Sequence, residues 1–274
     1  TQIWFDQHLK DAFVCPKTPV SKLKLKTQSG VPQLLVMPDN TKSIISVDVY
    51  YTQQGQIDGL RDNSQNTINR FWHHSATSKK GKVWSADVPI LSVDKPLWVY
   101  ANVVYSMDKP ITGAGYYYGE YTVEQFNISS KMEMIDPSEL QSAKVKPTLK
   151  SSMLIESFKD NWRKEWFNYK TGKWWLYTHK LYDPQWIAPT GAKLAIKVRS
   201  KEANKLVVSI DGYQAEVDLK GGLVESVSLS PGDFKKKDVA LTSWVGAKEL
   251  GLLWGKTGWL GSPPEFSELR WVVK

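Results

Sequence analysis

Short runs of β-branched and aromatic residues, each closed by Gly, Pro, Asn, Asp or Ser, recur from about residue 20 to the end of this chain. That punctuation constrains the fold more than any other feature. Alternating apolar and polar positions suit a strand with one face in a core, and turn residues between the runs return the chain on itself. After the first few residues no helical period is long enough to compete. The expected fold class is therefore all-β, with two β-sandwich domains following a short N-terminal helix.

Seven runs fall in the first half: KLKLKT (22–27), QLLVMP (33–38), SIISVDVYYT (43–52), NRFWHHS (69–75), KVWSADVPI (82–90), LWVYANVVYS (97–106) and EYTVEQFNIS (120–129). That number and spacing fit an immunoglobulin- or fibronectin-type sandwich over 17–131. Nine more runs occupy 151–274 and fit a jelly roll. In that half IDGY (210–213) joins two runs through Asp-Gly, which favours a type I′ hairpin turn. Between the halves, 132–150 is polar, carries Pro137 and Pro147 and has no apolar period, so it reads as a linker. One helical turn is expected there, with Asp136 as cap and Pro137 at the first helical position. At the N-terminus, Ile3, Trp4, Leu9 and Phe13 suit one helix face, and Pro16 stops the helix, giving a separate segment 1–16.

The 274 residues carry a net charge of +8, but the lysines are dispersed. Nucleic acid is therefore not the expected partner. The alternation in KLKLK places its lysines on one strand face, and KKK (235–237) reads as a solvated loop. A basic surface of this kind is compatible with an anionic polymer such as an acidic or sulfated glycan. Cys15 is the only cysteine, which excludes a disulfide framework within the chain. No apolar run approaches the ~20 residues of a membrane helix. The chain begins at Thr1 without Met or a signal peptide, as expected of a processed protein or an excised fragment.

The sequence contains no G-x-S-x-G, HExxH, Walker A or GxGxxG motif. S-x-x-K occurs at Ser21–Lys24 and Ser92–Lys95, as chance allows in Ser- and Lys-rich sequence. His73 and His74 are neighbours in a strand and should point to opposite faces, so they are not expected to share a metal. Glu216 and Asp218 share a strand face, as paired glycosidase carboxylates would, but Lys220 and Gly221 stand where a third acid is needed. Glu156, Asp160 and Glu268 lie near the first and last strands of the second domain. Hard oxygen ligands of this kind suit calcium, the expected ion if the two strands are adjacent.

The thirteen tryptophans fall four before residue 150 and nine after it. In KWWLYTHKL (173–181), alternation puts Trp174 and Leu176 on a core face and Trp175, Tyr177 and His179 on the opposite face. A flat ring can cover the apolar face of a sugar while nearby polar groups bond its hydroxyls. Trp175, Tyr177, Trp254 and Trp259 are the expected stacking platforms, with His179, Lys180 and Asp183 as hydroxyl partners. Trp162, Trp166 and Trp186 are further ligand candidates. Trp244 and Trp271 lie in apolar strand patterns and are expected in the core.

Two resemblances bear on function. WFDQHLK (4–10), followed by Pro16, resembles the last helix of an α/β-hydrolase of the dienelactone hydrolase or prolyl oligopeptidase type. The sandwich after it resembles the β-domain appended to some secreted bacterial hydrolases. Together they imply a C-terminal region whose catalytic domain lies upstream. IESFKDNW, GAKLAIKVRS, KLVVSIDGY, LVESVSLSPGDF and FSELRWVV resemble galactose-binding-like jelly rolls and related carbohydrate-binding modules. Glu156, Asp160, Asp233 and Glu268 match the acidic positions of that pattern.

These readings lead to one expectation: a non-catalytic polysaccharide-binding region of a secreted or periplasmic bacterial carbohydrate-active enzyme. Its partners would be a neutral or anionic polysaccharide and an upstream catalytic domain. The alternatives are a scaffold that orients that domain, with its aromatics used in packing, and an enzyme with an unfamiliar site.

Overall fold

The structure, a computed structural model, describes residues 2–10, 13–55, 70–115, 119–170 and 172–273. The fold is all-β, and the chain divides into two compact units. One comprises Thr1–Gln53 and Trp72–Thr148, the other Gln54–Phe71 and Leu149–Lys274. No helix among the described residues is long and apolar enough to cross a membrane.

The first unit begins with helix α1 (Gln2–His8). Its strands are β1 (Val20–Lys24), β2 (Gln33–Met37), β3 (Ile44–Thr52), β4 (His73–Ala76), β5 (Ser78–Lys80), β6 (Val83–Asp87), β7 (Leu97–Gly115), β8 (Gly119–Ser129) and β9 (Glu133–Ile135), and helix α2 (Pro137–Ser142) follows them. One sheet has the order β1-β2-β6-β5; the other runs β4-β3-β7-β8, with β9 also paired to β7. This is the strand order of an immunoglobulin-type sandwich carrying one additional strand beside the third. Alternation builds its core: β2 buries Leu34 and Val36, β3 buries Val47, Val49 and Tyr51, and β7 buries Leu97, Val99, Ala101 and Val103.

Several expectations hold here in detail. The lysines of β1 share its exposed face. His73 stacks on Tyr51 while His74 bonds Asp48, so the two imidazoles point to opposite sides of β4. Others are corrected. Helix α1 ends at His8, and Leu9 lies in solvent instead of on an apolar face. Phe13, beyond the helix, meets Phe126 edge to face. The Trp4 side chain, residues 11 and 12, and Asn69 of the expected fourth strand lie outside the described residues.

The largest correction concerns 132–150, which is not a linker. Strand β9 pairs with Leu97–Val99 of β7. Helix α2 starts at Pro137 after Asp136, as expected, and runs to Ser142, although the Asp136 side chain makes no capping hydrogen bond. It seats Leu140 in the first core, and Val145 follows it there. Three strand residues and two apolar anchors are too few to stand out in a polar stretch.

The second unit is built from β10 (Leu154–Glu156), β11 (Trp175–Thr178), β12 (Lys193–Arg199), β13 (Asn204–Ile210), β14 (Tyr213–Leu219), β15 (Val224–Leu229), β16 (Lys235–Lys236), β17 (Val239–Ala240), β18 (Leu250–Trp254) and β19 (Glu265–Val272). A four-stranded sheet β10-β19-β12-β15 and a six-stranded sheet β11-β18-β13-β14-β16-β17 enclose its core. The first and last strands, β10 and β19, are neighbours, as the jelly-roll reading expects. Asp211 and Gly212 both take positive φ, 50° and 80°, and form the type I′ turn between β13 and β14. The same geometry corrects KKK: Lys237 and Asp238 form a second positive-φ turn, so Lys235 and Lys236 are strand residues. Trp244 and Trp271 are buried in the core, as expected.

Leu140→Ala should lower the stability of the first unit by about 2–5 kcal/mol, the usual penalty for emptying a buried leucine site. Amide exchange should then accelerate at Val99 and Val103 of β7 and stay unchanged in β12 and β13. Unchanged exchange in β7 would return 132–150 to the role of a linker.

Candidate functional site

Among the described residues, strand β11 is the outermost strand of the six-stranded sheet, so its edge and outer face bear on what the second unit can present. It pairs with β18 in the register Trp175↔Leu253, Leu176↔Leu252, Tyr177↔Gly251 and Thr178↔Leu250. Leu176 and Thr178 turn inward and are buried, leaving Trp175 and Tyr177 half-buried on the outer face. Trp174, just before the strand, packs against the core, as expected. Gly251 has a direct role: a Cβ there would lie 2.9 Å from the Tyr177 ring, so glycine lets that ring lie across β18.

Register extends the site across the sheet. Trp175, Leu253, Val207 and Glu216 stand in one row over four strands, and Tyr177, Gly251, Ser209 and Gln214 in the next. At the usual strand spacing, Trp175 and Glu216 are about 14 Å apart. Glu216 and Asp218 share a face, as their spacing implies, and both bond Lys205, at 2.9 and 3.4 Å. Those hydrogen bonds to Glu216 and Asp218 raise the Lys205 ammonium above its ordinary range.

On the free side of β11, Phe167 closes a two-way backbone bridge with Tyr177, at 2.8 and 2.9 Å. That bridge brings in Tyr169, which no strand pattern had singled out. Its ring lies 5.0 Å from that of Tyr177 and 5.0 Å from that of Phe167. Tyr169 is 58% exposed, and its hydroxyl donates to Glu249 Oε2 at 2.8 Å. His179 Nε2 lies 3.5 Å from the same oxygen. The hydrogen bond from His179, with that from Tyr169, holds the Glu249 carboxyl below its usual range against the opposing effect of burial. Burial, then the hydrogen bond and charge of Glu249, push the Tyr169 phenol up to about 12. Tyr177 is raised by burial and by the Glu249 charge.

The other expected site residues separate into different roles. His179 was placed with Trp175 and Tyr177 by alternation, but β11 ends at Thr178. The imidazole is buried beside Phe167, 4.9 Å between ring centres. Lys180 is not a surface partner for hydroxyls: it is 3% exposed. Its ammonium reaches Glu156 and Glu165, each at 2.7 Å, and the Ile155 carbonyl at 3.1 Å. Asp183 is also buried and accepts the Gln185 amide at the start of a three-ten turn. Trp186 is a core residue, its indole N–H bound to the Leu154 carbonyl and its own carbonyl taken by Trp271. Trp166 is buried as well and donates to Glu156. Trp259 packs edge-on against Trp174, and Trp162 edge-on against Phe158 and Trp166. Trp254 is half-buried at the end of β18, under the Lys173 ammonium.

The three carboxylates expected to hold calcium are not brought together. Glu156 pairs with the inward Leu269 and is filled by Lys180, the Trp166 indole and two backbone amides. Glu268 lies on the outer face, beside Lys197 and Arg270. Asp160 is exposed, in a loop. Among the described residues, no three His, Cys, Asp or Glu side chains gather as a metal site would require.

No family model, curated protein or solved structure matches the chain.

Two measurements follow from these contacts. Lys180→Ala should destabilise the protein by about 3–5 kcal/mol in urea unfolding, because it leaves Glu156 charged, buried and without its cation. Lys180→Ala and Glu156→Ala combined should be much less harmful than the sum of the two. Titration followed at the Tyr169 Cζ resonance should give a midpoint near 12. Glu249→Gln should lower that midpoint without returning it fully to the ordinary value, since burial, the largest single cause, remains. A phenol raised in the folded state stabilises below its ordinary pKa, and that contribution is lost as pH rises through the folded value.

Proposed function

We propose that the chain is a non-catalytic polysaccharide-binding region, and that the outer β11 edge of the second sandwich is where sugar stacks. The observation that carries this reading is the grouping of Trp175, Tyr177 and Tyr169 along one edge, with ring surface left in solvent. Soluble domains usually cover rings of this size or give them a partner. Polar groups flank the rings on both sides: the Glu249 and Tyr169 pair at the edge, and Lys205, Glu216 and Asp218 across the sheet. A pyranose face on Tyr177 would bring its hydroxyls toward the Glu249 and Tyr169 pair, and only a run of several sugars across the sheet would extend to Lys205, Glu216 and Asp218. The resemblance of residues 4–10 to a hydrolase terminal helix, and of 151–274 to carbohydrate-binding jelly rolls, supports an accessory role beside an upstream catalytic domain in a secreted bacterial enzyme.

A scaffold reading is favoured by a different observation. Trp166, Trp186, Trp244 and Trp271 are buried, so much of the aromatic content serves packing. The two readings divide at Trp175 and Tyr177, which packing leaves half-exposed.

Affinity electrophoresis through gels containing single polysaccharides separates them. The unaltered chain should be retarded by at least one polymer. Trp175→Ala and Tyr177→Ala should each weaken that binding by about tenfold or more, since a few aromatic residues carry most of such an interface. Circular dichroism should show both variants folded. Full mobility in every gel, or retardation indifferent to both substitutions, would leave the scaffold.

A further inference from the structure

Three exposed lysines of the second sandwich rest on aromatic faces, two where β11 begins and one beyond its other end. Lys170 Nζ lies 5.2 Å from the ring centre of Trp175, Lys173 Nζ 5.6 Å from that of Trp254, and Lys248 Nζ 5.3 Å from that of Tyr182. None of the three forms an ion pair among the described residues, whereas Lys180, Lys197 and Lys205 in the same unit each hold a carboxylate. Two of them are held in place by a single side chain. Asn168 accepts the Lys170 amide at 2.7 Å and donates to the Lys173 carbonyl at 2.6 Å, and the Lys173 amide bonds the Lys170 carbonyl. The turn therefore fixes both lysine backbones at the corner where β11 begins and β18 ends. There Trp174 and Trp254 are joined by a backbone bond, and Trp175 faces outward.

We infer that this corner selects an acidic polysaccharide, one bearing carboxylate or sulfate groups, with Lys170 and Lys173 as its anion partners and Trp175 as its platform. This rests on the polysaccharide-binding reading. The reason lies in what must leave the ring. An ammonium over an indole occupies the surface that a sugar would cover, and it is held there by the ring's negative face. A neutral sugar must displace that cation and offers it only neutral hydroxyl acceptors in return. An acidic sugar offers a stronger partner within reach, so the ammonium moves from ring to anion while the ring takes the sugar. Glu249, the carboxylate bonded to the neighbouring Tyr169, is already engaged by Tyr169 and His179, which reduces its repulsion of an approaching anion.

The test uses pairs of polymers that differ in charge alone: polygalacturonate against its carboxyl-reduced form, and dextran sulfate against dextran. Binding of the full chain is measured by affinity electrophoresis and calorimetry at about 0.02 and 0.3 M NaCl, which shortens the screening length severalfold. The expected result is binding to an acidic polymer at least about tenfold tighter than to its neutral twin, weakening with salt. Lys170→Gln with Lys173→Gln should abolish the preference, and Trp175→Ala should remove binding to both members of a pair. Lys197→Gln with Lys220→Gln, placed elsewhere on the surface, should change nothing. Retention of polygalacturonate alone would name carboxylate as the group, and retention of dextran sulfate alone would name sulfate. Equal binding of acidic and neutral members, or equal weakening by the remote lysine pair, would overturn the inference and leave stacking intact. Absence of binding to all four polymers and to the neutral panel would overturn the polysaccharide reading itself.

Discussion

A lysine ammonium cannot be taken from water into a protein core unless opposite charge and hydrogen-bond acceptors go with it. Lys180 meets that condition through Glu156, Glu165 and the Ile155 carbonyl, and much of the second sandwich is arranged around it. Glu156 ends the first strand of the unit and also takes the Trp166 indole and the amides of Ser157 and Phe158. Trp186 and Phe71 lie beside the ammonium, with Trp186 bonded to Leu154 and Trp271. One buried cation thus fixes the edge strand β10, the three-ten turns after β11 and part of the aromatic core. It also explains why the chain leaves strand geometry at Thr178: the next residues must turn to bring Lys180 inside.

That early end of β11 shapes the candidate site. Two alternating positions, Trp175 and Tyr177, remain outside, and the third, His179, is drawn under Phe167 to reach Glu249. The edge that would otherwise show unpaired backbone is partly closed by Phe167, which brings Tyr169 onto Tyr177. Ring exposure, ring spacing and the ionisation of Glu249 all follow from this one truncation. The turn that carries Lys170 and Lys173 belongs to the same hairpin, so charge and aromatic surface are delivered together.

Much of the fold was legible in the sequence, because alternation is a local property. Strands such as β2 and β12 show their buried faces in a window of five or six residues. The Asp-Gly turn at 211–212 needs no tertiary context, since its conformation is available to those two residues alone. The segment 132–150 was not legible, because β9 and α2 are held by β7 and by the pocket that receives Leu140, not by a pattern of their own. The calcium ligands failed for a related reason. Proximity of the first and last strands was expected and is found, but Glu156 is set inward at a register shift in β10, Glu268 stands on the outer face of β19 and Asp160 lies in a loop, which no spacing reveals.

The sequence by itself determined the all-β class, two sandwiches, the inward and outward faces of the longer strands and the concentration of tryptophans after residue 150. Those are consequences of side-chain period and turn chemistry, which act over a few residues. Only the tertiary structure decided which aromatics are packing and which present a surface. Trp175 and Trp186 are the same residue type in the same stretch, yet one lies outside under a lysine and the other lies in the core beside a buried ammonium. Which of them meets solvent depends on where β11 ends and on what Lys180 pairs with. Those partners lie tens of residues away in sequence and come within bonding distance only when the sheets close.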